Sequence, residues 1–134
     1  MTDFALHPRL AADTAFVADW PLSRVLLMND ARYRWLILVP RIVDATEIID
    51  LSPAQRAALM DEIAQASQTL KDLTACAKLN IGALGNMVPQ LHVHILARNP
   101  GDPAWPGPVW GHSPAQPYDA ATRDAFLAQL VNAR

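Results

Sequence analysis

The chain has 134 residues, 51% of them hydrophobic and 18% charged, which is enough for a packed core and excludes a disordered chain. Its net charge of −2 and its scattered basic residues, nine Arg and two Lys, exclude broad electrostatic attraction to nucleic acid. The length fits one domain spanning residues 1–134, and the single cysteine, Cys76, excludes an intrachain disulfide and fits a reducing compartment.

Residues Met1–Leu10 lack the basic-then-apolar layout of a secretory signal. No apolar run approaches the ~20 residues of a membrane span. A cytoplasmic protein with no membrane partner is therefore expected. Pro8–Trp20 reads as a first helix, with Leu10, Phe16, Val17 and Trp20 on one side and Pro21 ending it. Leu22–Asn29 and Tyr33–Val39 are short apolar runs parted by Asp30-Ala31-Arg32, the spacing of a hairpin. Tyr33, Trp35, Ile37 and Val39 share one face of the second strand, with Arg34, Leu36 and Leu38 on the other.

Ser52-Pro53-Ala54-Gln55 is a helix start, with a Ser cap, Pro at the first helical position and Gln three residues on. Leu59, Ile63, Ala66, Leu70, Leu73 and Ala77 recur at helical spacing, so one long amphipathic helix is expected, with Cys76 a small apolar filler near its end. Asp61, Glu62, Gln65, Gln68, Lys71 and Asp72 read as its solvated face. Leu79–Leu84 is a third strand, Gly85-Asn86 a turn, and Pro89 introduces a strand ending near Arg98, making a second hairpin. From Asn99 to Pro117 six of the chain's 11 prolines fall, with Trp105 and Trp110, so an extended segment lying on the domain is expected. Asp119 caps a short last helix whose Phe126, Leu127, Leu130 and Val131 form an apolar stripe. The order of elements gives an α+β domain: an antiparallel sheet with a long helix on one face.

The chemistry concentrates at Gln90-Leu91-His92-Val93-His94-Ile95-Leu96. Strand alternation sends Leu91, Val93 and Ile95 to one face and Gln90, His92 and His94 to the other. Three readings of the paired imidazoles stand side by side. They are surface histidines; or two ligands of one metal ion, which needs a third from His112, Asp102 or His7; or a nucleophile and its helper acting on phosphorus. In the last, the attacking imidazole is neutral with its other nitrogen held as a donor, and a second donor meets the phosphoryl oxygens. No phosphate loop, nucleophile elbow, HExxH or CxxC motif is present.

This stretch resembles the histidine triad motif, His-φ-His-φ-His-φ-φ with φ apolar, of the HIT nucleotide hydrolases and transferases. The first hairpin, the capped helix, Asn80 and Arg98-Asn99-Pro100-Gly101-Asp102 fall in the family's order, so the resemblance covers residues 20–102. It is greatest to small bacterial members of the diadenosine tetraphosphate hydrolase kind. The resemblance implies a HIT-like fold of about five antiparallel strands, one long helix and flanking N- and C-terminal helices. It implies that His92 is the nucleophile toward a nucleotide α-phosphate and that His94 contacts that phosphate and assists the leaving group. Gln90 replaces the first histidine, whose part is hydrogen-bonding support, and the alternative is a nucleotide-binding module with little turnover. Asn29 is placed at the ribose, Asn80 facing the phosphate, and Gly85 and Asn86 in the phosphate-lining loop. No cofactor or protein-bound metal is required, any magnesium would arrive with the substrate, and a homodimer is expected. Trp35 stands where several members carry another histidine; stacking on a base and core packing are its two readings. Arg98 either reaches a distal phosphate or is a strand-end surface residue, Trp105 and Trp110 either close over the nucleotide or pack the C-terminal segment, and His7 and His112 are expected in solvent.

Overall fold

A computed structural model describes residues 3–133; Met1, Thr2 and Arg134, the outermost residues of the expected domain and of the N-terminal reading, lie outside it. In chain order the elements are α1 (Pro8–Asp13), β1 (Thr14–Asp19), β2 (Ser23–Met28), β3 (Arg34–Pro40), a 3-10 turn (Ile48–Asp50), α2 (Pro53–Thr74), β4 (Lys78–Gly82), β5 (Val93–Arg98) and α3 (Ala120–Asn132). The strands form one antiparallel sheet in the order β1-β2-β3-β5-β4. This is an α+β fold, with both expected hairpins present.

The expected helix over Pro8–Trp20 is only half helical. It stops at Asp13, where the Thr14 hydroxyl donates to the Leu10 carbonyl, and the chain continues as β1 against β2. Val17 is an extra residue between the pairs Phe16–Leu26 and Ala18–Val25, a bulge that destroys strict alternation and so disguises the strand. The apolar residues read as one helical stripe are divided accordingly: Leu10 packs under one face of the sheet, Val17 and Trp20 under the other, and Phe16 is exposed.

Alternation in β3 builds two cores at once. Leu36 and Leu38 join Val93, Ile95 and the α2 residues Leu59, Ile63, Ala66 and Leu70 on one face. Each Leu, Ile and Val among them contributes roughly 1.5–3 kcal/mol on burial. Tyr33, Trp35, Ile37 and Val39 join Leu10, Val88, Leu96, Ala104 and Val109 on the other face. The Asn99–Pro117 segment does lie on the domain, and it supplies Ala104 and Val109 to this second core. Asp119 caps α3 through the Thr122 amide, with Phe126 and Leu130 buried and Val131 exposed.

The Ser52 box forms as read: Ser52 Oγ accepts from the Gln55 amide and Gln55 Oε1 from the Ser52 amide. Helix α2 ends earlier than expected, at Thr74, because Ala75 turns into the left-handed region with φ 52°. Cys76 beyond it is buried in the core. Glu62 departs from the solvated face assigned to it. It is buried, and its two carboxylate oxygens accept from the amides of Leu22 and Ser23 at 2.8 and 3.0 Å, fastening the start of β2 to the helix. Glu62→Ala orphans both amides and is expected to cost about 2–3 kcal/mol, while Glu62→Gln, which keeps one acceptor, costs less. Urea unfolding midpoints at unchanged slope check this.

Candidate active site

Pairing with β3 and β4 places His94 opposite Ile37 and Gly82, on the face that carries the second core. His92 precedes the ladder by one residue and points the same way; the ring centroids lie 4.9 Å apart. Both are buried, at 6% and 7% exposure, so the reading as surface histidines does not hold. Among the described residues no group of three His, Cys, Asp or Glu is disposed as metal ligands would be.

The hydrogen-bond partners give the two rings opposite tautomers. His92 Nδ1 lies 2.7 Å from the main-chain carbonyl of Gln90, which only accepts, so Nδ1 carries the proton and Nε2 the lone pair. His94 Nδ1 accepts from the Trp35 indole N–H at 3.0 Å, so its proton sits on Nε2. Burial, with a smaller contribution from the charge of the neighbouring His92, holds the His94 pKa down to about 3. One ring thus offers a lone pair and its neighbour an N–H, the complement needed for attack on a phosphoryl group whose oxygens require a donor.

Trp35 belongs to the core, as the packing alternative has it, and also grips the site. It lies edge-on to Tyr33, and its ring is 5.6 Å from that of His94. Trp110, from the proline-rich segment, meets His94 edge to face at 5.5 Å and closes its far side. Removing the indole donor by Trp35→Phe is expected to cost about 1–3 kcal/mol at pH 7. The deficit should narrow toward pH 4. In the wild type the unfolded chain takes up a proton at His94 below its ordinary pKa of 6.5 and the folded chain does not until about 3, so stability is lost through that window as pH falls. Without the indole N–H the folded ring protonates more readily and less is lost. Urea unfolding of both proteins from pH 7 to pH 4, with imidazole 15N shifts, measures this.

The other expected site residues are divided. Gly85, at φ 79°, and Asn86 border the cavity of about 380 Å³ that contains both histidines. Asn80 lies on the same face, but its side-chain oxygen accepts from Arg98 at 2.8 Å. Asn29 is not brought to the histidines: its side-chain oxygen accepts from the Tyr118 amide, in a separate pocket with Thr14, Leu27 and Arg123. Gln90 gives His92 its carbonyl, while its amide goes elsewhere, accepting from the His7 amide at 2.8 Å and donating to the Ala5 carbonyl at 2.9 Å.

Arg98 is not the surface residue of the second reading. It is 1% exposed and bound to Asp102, Asn80 and the Gly107 carbonyl. His7 is half-buried and caps α1, its Nδ1 accepting from the Arg9 amide. His112 is exposed, as expected. Sequence reasoning missed Arg9, Met28 and Met87, which also line the cavity. Only Met28 left a signal, since it closes the β2 alternation on the face of Leu26.

A second cavity, about 270 Å³, adjoins His92 and shares Leu84 and Gly85 with the first; Thr46, Glu47, Ile48 and Ile49 form its opposite wall.

Comparison with known proteins agrees with this fold. Solved histidine triad proteins from Bradyrhizobium japonicum (54% identity, 96% of each chain, TM-score 0.94) and Sinorhizobium meliloti (43% identity, 98% of each chain, TM-score 0.96) are similar over nearly the whole length. One from Marinobacter aquaeolei is 46% identical over 97% of this chain and 95% of its own, with a TM-score of 0.95. No curated protein matches the chain. The HIT domain model matches residues 9–101, and the chain therefore belongs to the HIT family of nucleotide-binding proteins and hydrolases.

Proposed function

We propose that the chain is a nucleotide hydrolase or nucleotidyl transferase acting at the α-phosphate of dinucleoside polyphosphates of the diadenosine tetraphosphate kind, or of related nucleotide conjugates. The observation that carries the reading is the tautomer pair: an Nε2 lone pair on His92 beside an Nε2–H on His94. In the first step His92 Nε2 bonds to the α-phosphorus and the bond to the leaving oxygen breaks, its electron pair departing with the leaving group. The His94 N–H meets a phosphoryl oxygen as charge builds on it. In the second step water attacks phosphorus and gives up a proton to solvent, the P–N bond breaks, and the pair returns to His92 Nε2.

No protein-bound metal is required in this scheme, and magnesium accompanies the polyphosphate if it takes part. Gly85 and Asn86 line the phosphate loop. A cytoplasmic homodimer is the working form that the family resemblance suggests. A binding module without turnover is the second reading; it draws on the Gln90 amide, whose hydrogen bonds go to the N-terminal segment rather than to His92. Quenching the protein after brief incubation with diadenosine tetraphosphate labelled at its α-phosphate, then mapping the modified residue, decides between them. Label on His92 supports the covalent cycle, and bound but unreacted nucleotide supports the module.

A further inference from the structure

Among the described residues lining the cavity shared by His92 and His94, Arg9 alone carries a formal charge. Phosphate chains bring several negative charges, and His94, accepting from Trp35 at Nδ1, offers them only a neutral N–H. Arg98, farther along β5, is held by Asp102. Arg9 is not so committed. Its ion pair with Asp13 spans 3.8 Å and both side chains are about half exposed (57% and 49%), a pairing that contributes little.

What places Arg9 at the cavity is Gln90. Its amide clamps Ala5 and His7 from both ends, and His7 caps the turn by accepting the Arg9 amide. The position two residues before His92 is thereby wired to a cation supplied from the start of the chain. We infer that Arg9 receives the distal phosphates of a polyphosphate-linked substrate and that Gln90 is the positioning residue that sets it there, selecting phosphate chains over nucleotides with a neutral leaving group. This rests on the same cavity accepting the nucleotide.

Binding and turnover are therefore tested apart. In titrations of the full chain carrying His92→Ala, adding Arg9→Ala is expected to weaken diadenosine tetraphosphate about tenfold more than AMP. Gln90→Ala should produce a smaller excess of the same kind and add nothing once Arg9 is gone. The excess should shrink as salt rises from about 0.05 to about 0.5 M. Equal losses for the two nucleotides, or full additivity of the two substitutions, would overturn the assignment, as would failure of either nucleotide to bind. Selective loss in a protein whose unsubstituted form never labels His92 would support the Arg9 site while removing the covalent cycle.

Discussion

Replacing His92 by alanine is expected to lower turnover of diadenosine tetraphosphate by about 10⁴-fold or more, with nucleotide binding retained. The size of the effect follows from what the position supplies. Its Nε2 lone pair is held free at the cavity by a fixed acceptor on the far nitrogen, and alanine leaves water as the nucleophile. His94→Ala is expected to cost less, because it removes a hydrogen bond to the phosphoryl oxygens and leaves the nucleophile in place; losses of about 10²–10³ are typical for one such donor. Single-turnover measurements separate the two, since only the His92 variant should fail to form the nucleotidyl intermediate. Equal, small losses in both would contradict the assigned roles.

Arg98→Ala is expected to destabilise the fold by about 3–5 kcal/mol. Arg98 makes a bidentate pair with Asp102 at 2.7 and 3.0 Å, and its remaining N–H groups reach Asn80 and Gly107. The guanidinium holds the Asp102 carboxyl below its ordinary range. That carboxyl in turn accepts the Trp105 amide. Truncation therefore strands a carboxylate and frees the loop that carries Trp110 onto His94. Arg98→Lys keeps the charge but not the fork and should recover less than half the loss. Urea unfolding gives the stability change. A fall in nucleotide affinity larger in Arg98→Ala than in Arg98→Lys would tie the loop to the cavity.

The sequence was legible wherever the determining interactions are local. The Ser52 box and the Asp119 cap depend on residues three apart, the β2–β3 hairpin on strands that follow one another across a short turn, and each forms as read. The alternation from Gln90 to Ile95 likewise put both imidazoles on one face. Strand β1 was hidden because the bulge at Val17 breaks the period that identifies a strand. Glu62 looked solvated because the amides that need it lie some forty residues earlier in the chain. Gln90 was expected to support its neighbour with its side chain; the carbonyl does that instead, and the amide's partners are at Ala5 and His7, beyond the reach of any local pattern. Trp35 was on the correct face, but its bond to His94 depends on a diagonal contact between strands distant in sequence.

Gly82 sits across the ladder from His94, and a Cβ built there would come within 3.2 Å of the Trp110 ring. Positions 82 and 110 are thus a single steric unit. A methyl added at the glycine requires the indole to give by a few tenths of an ångström, and a smaller residue at 110 makes room for more. An engineer wishing to widen the pocket for a bulkier leaving group would begin with that pair rather than with the histidines.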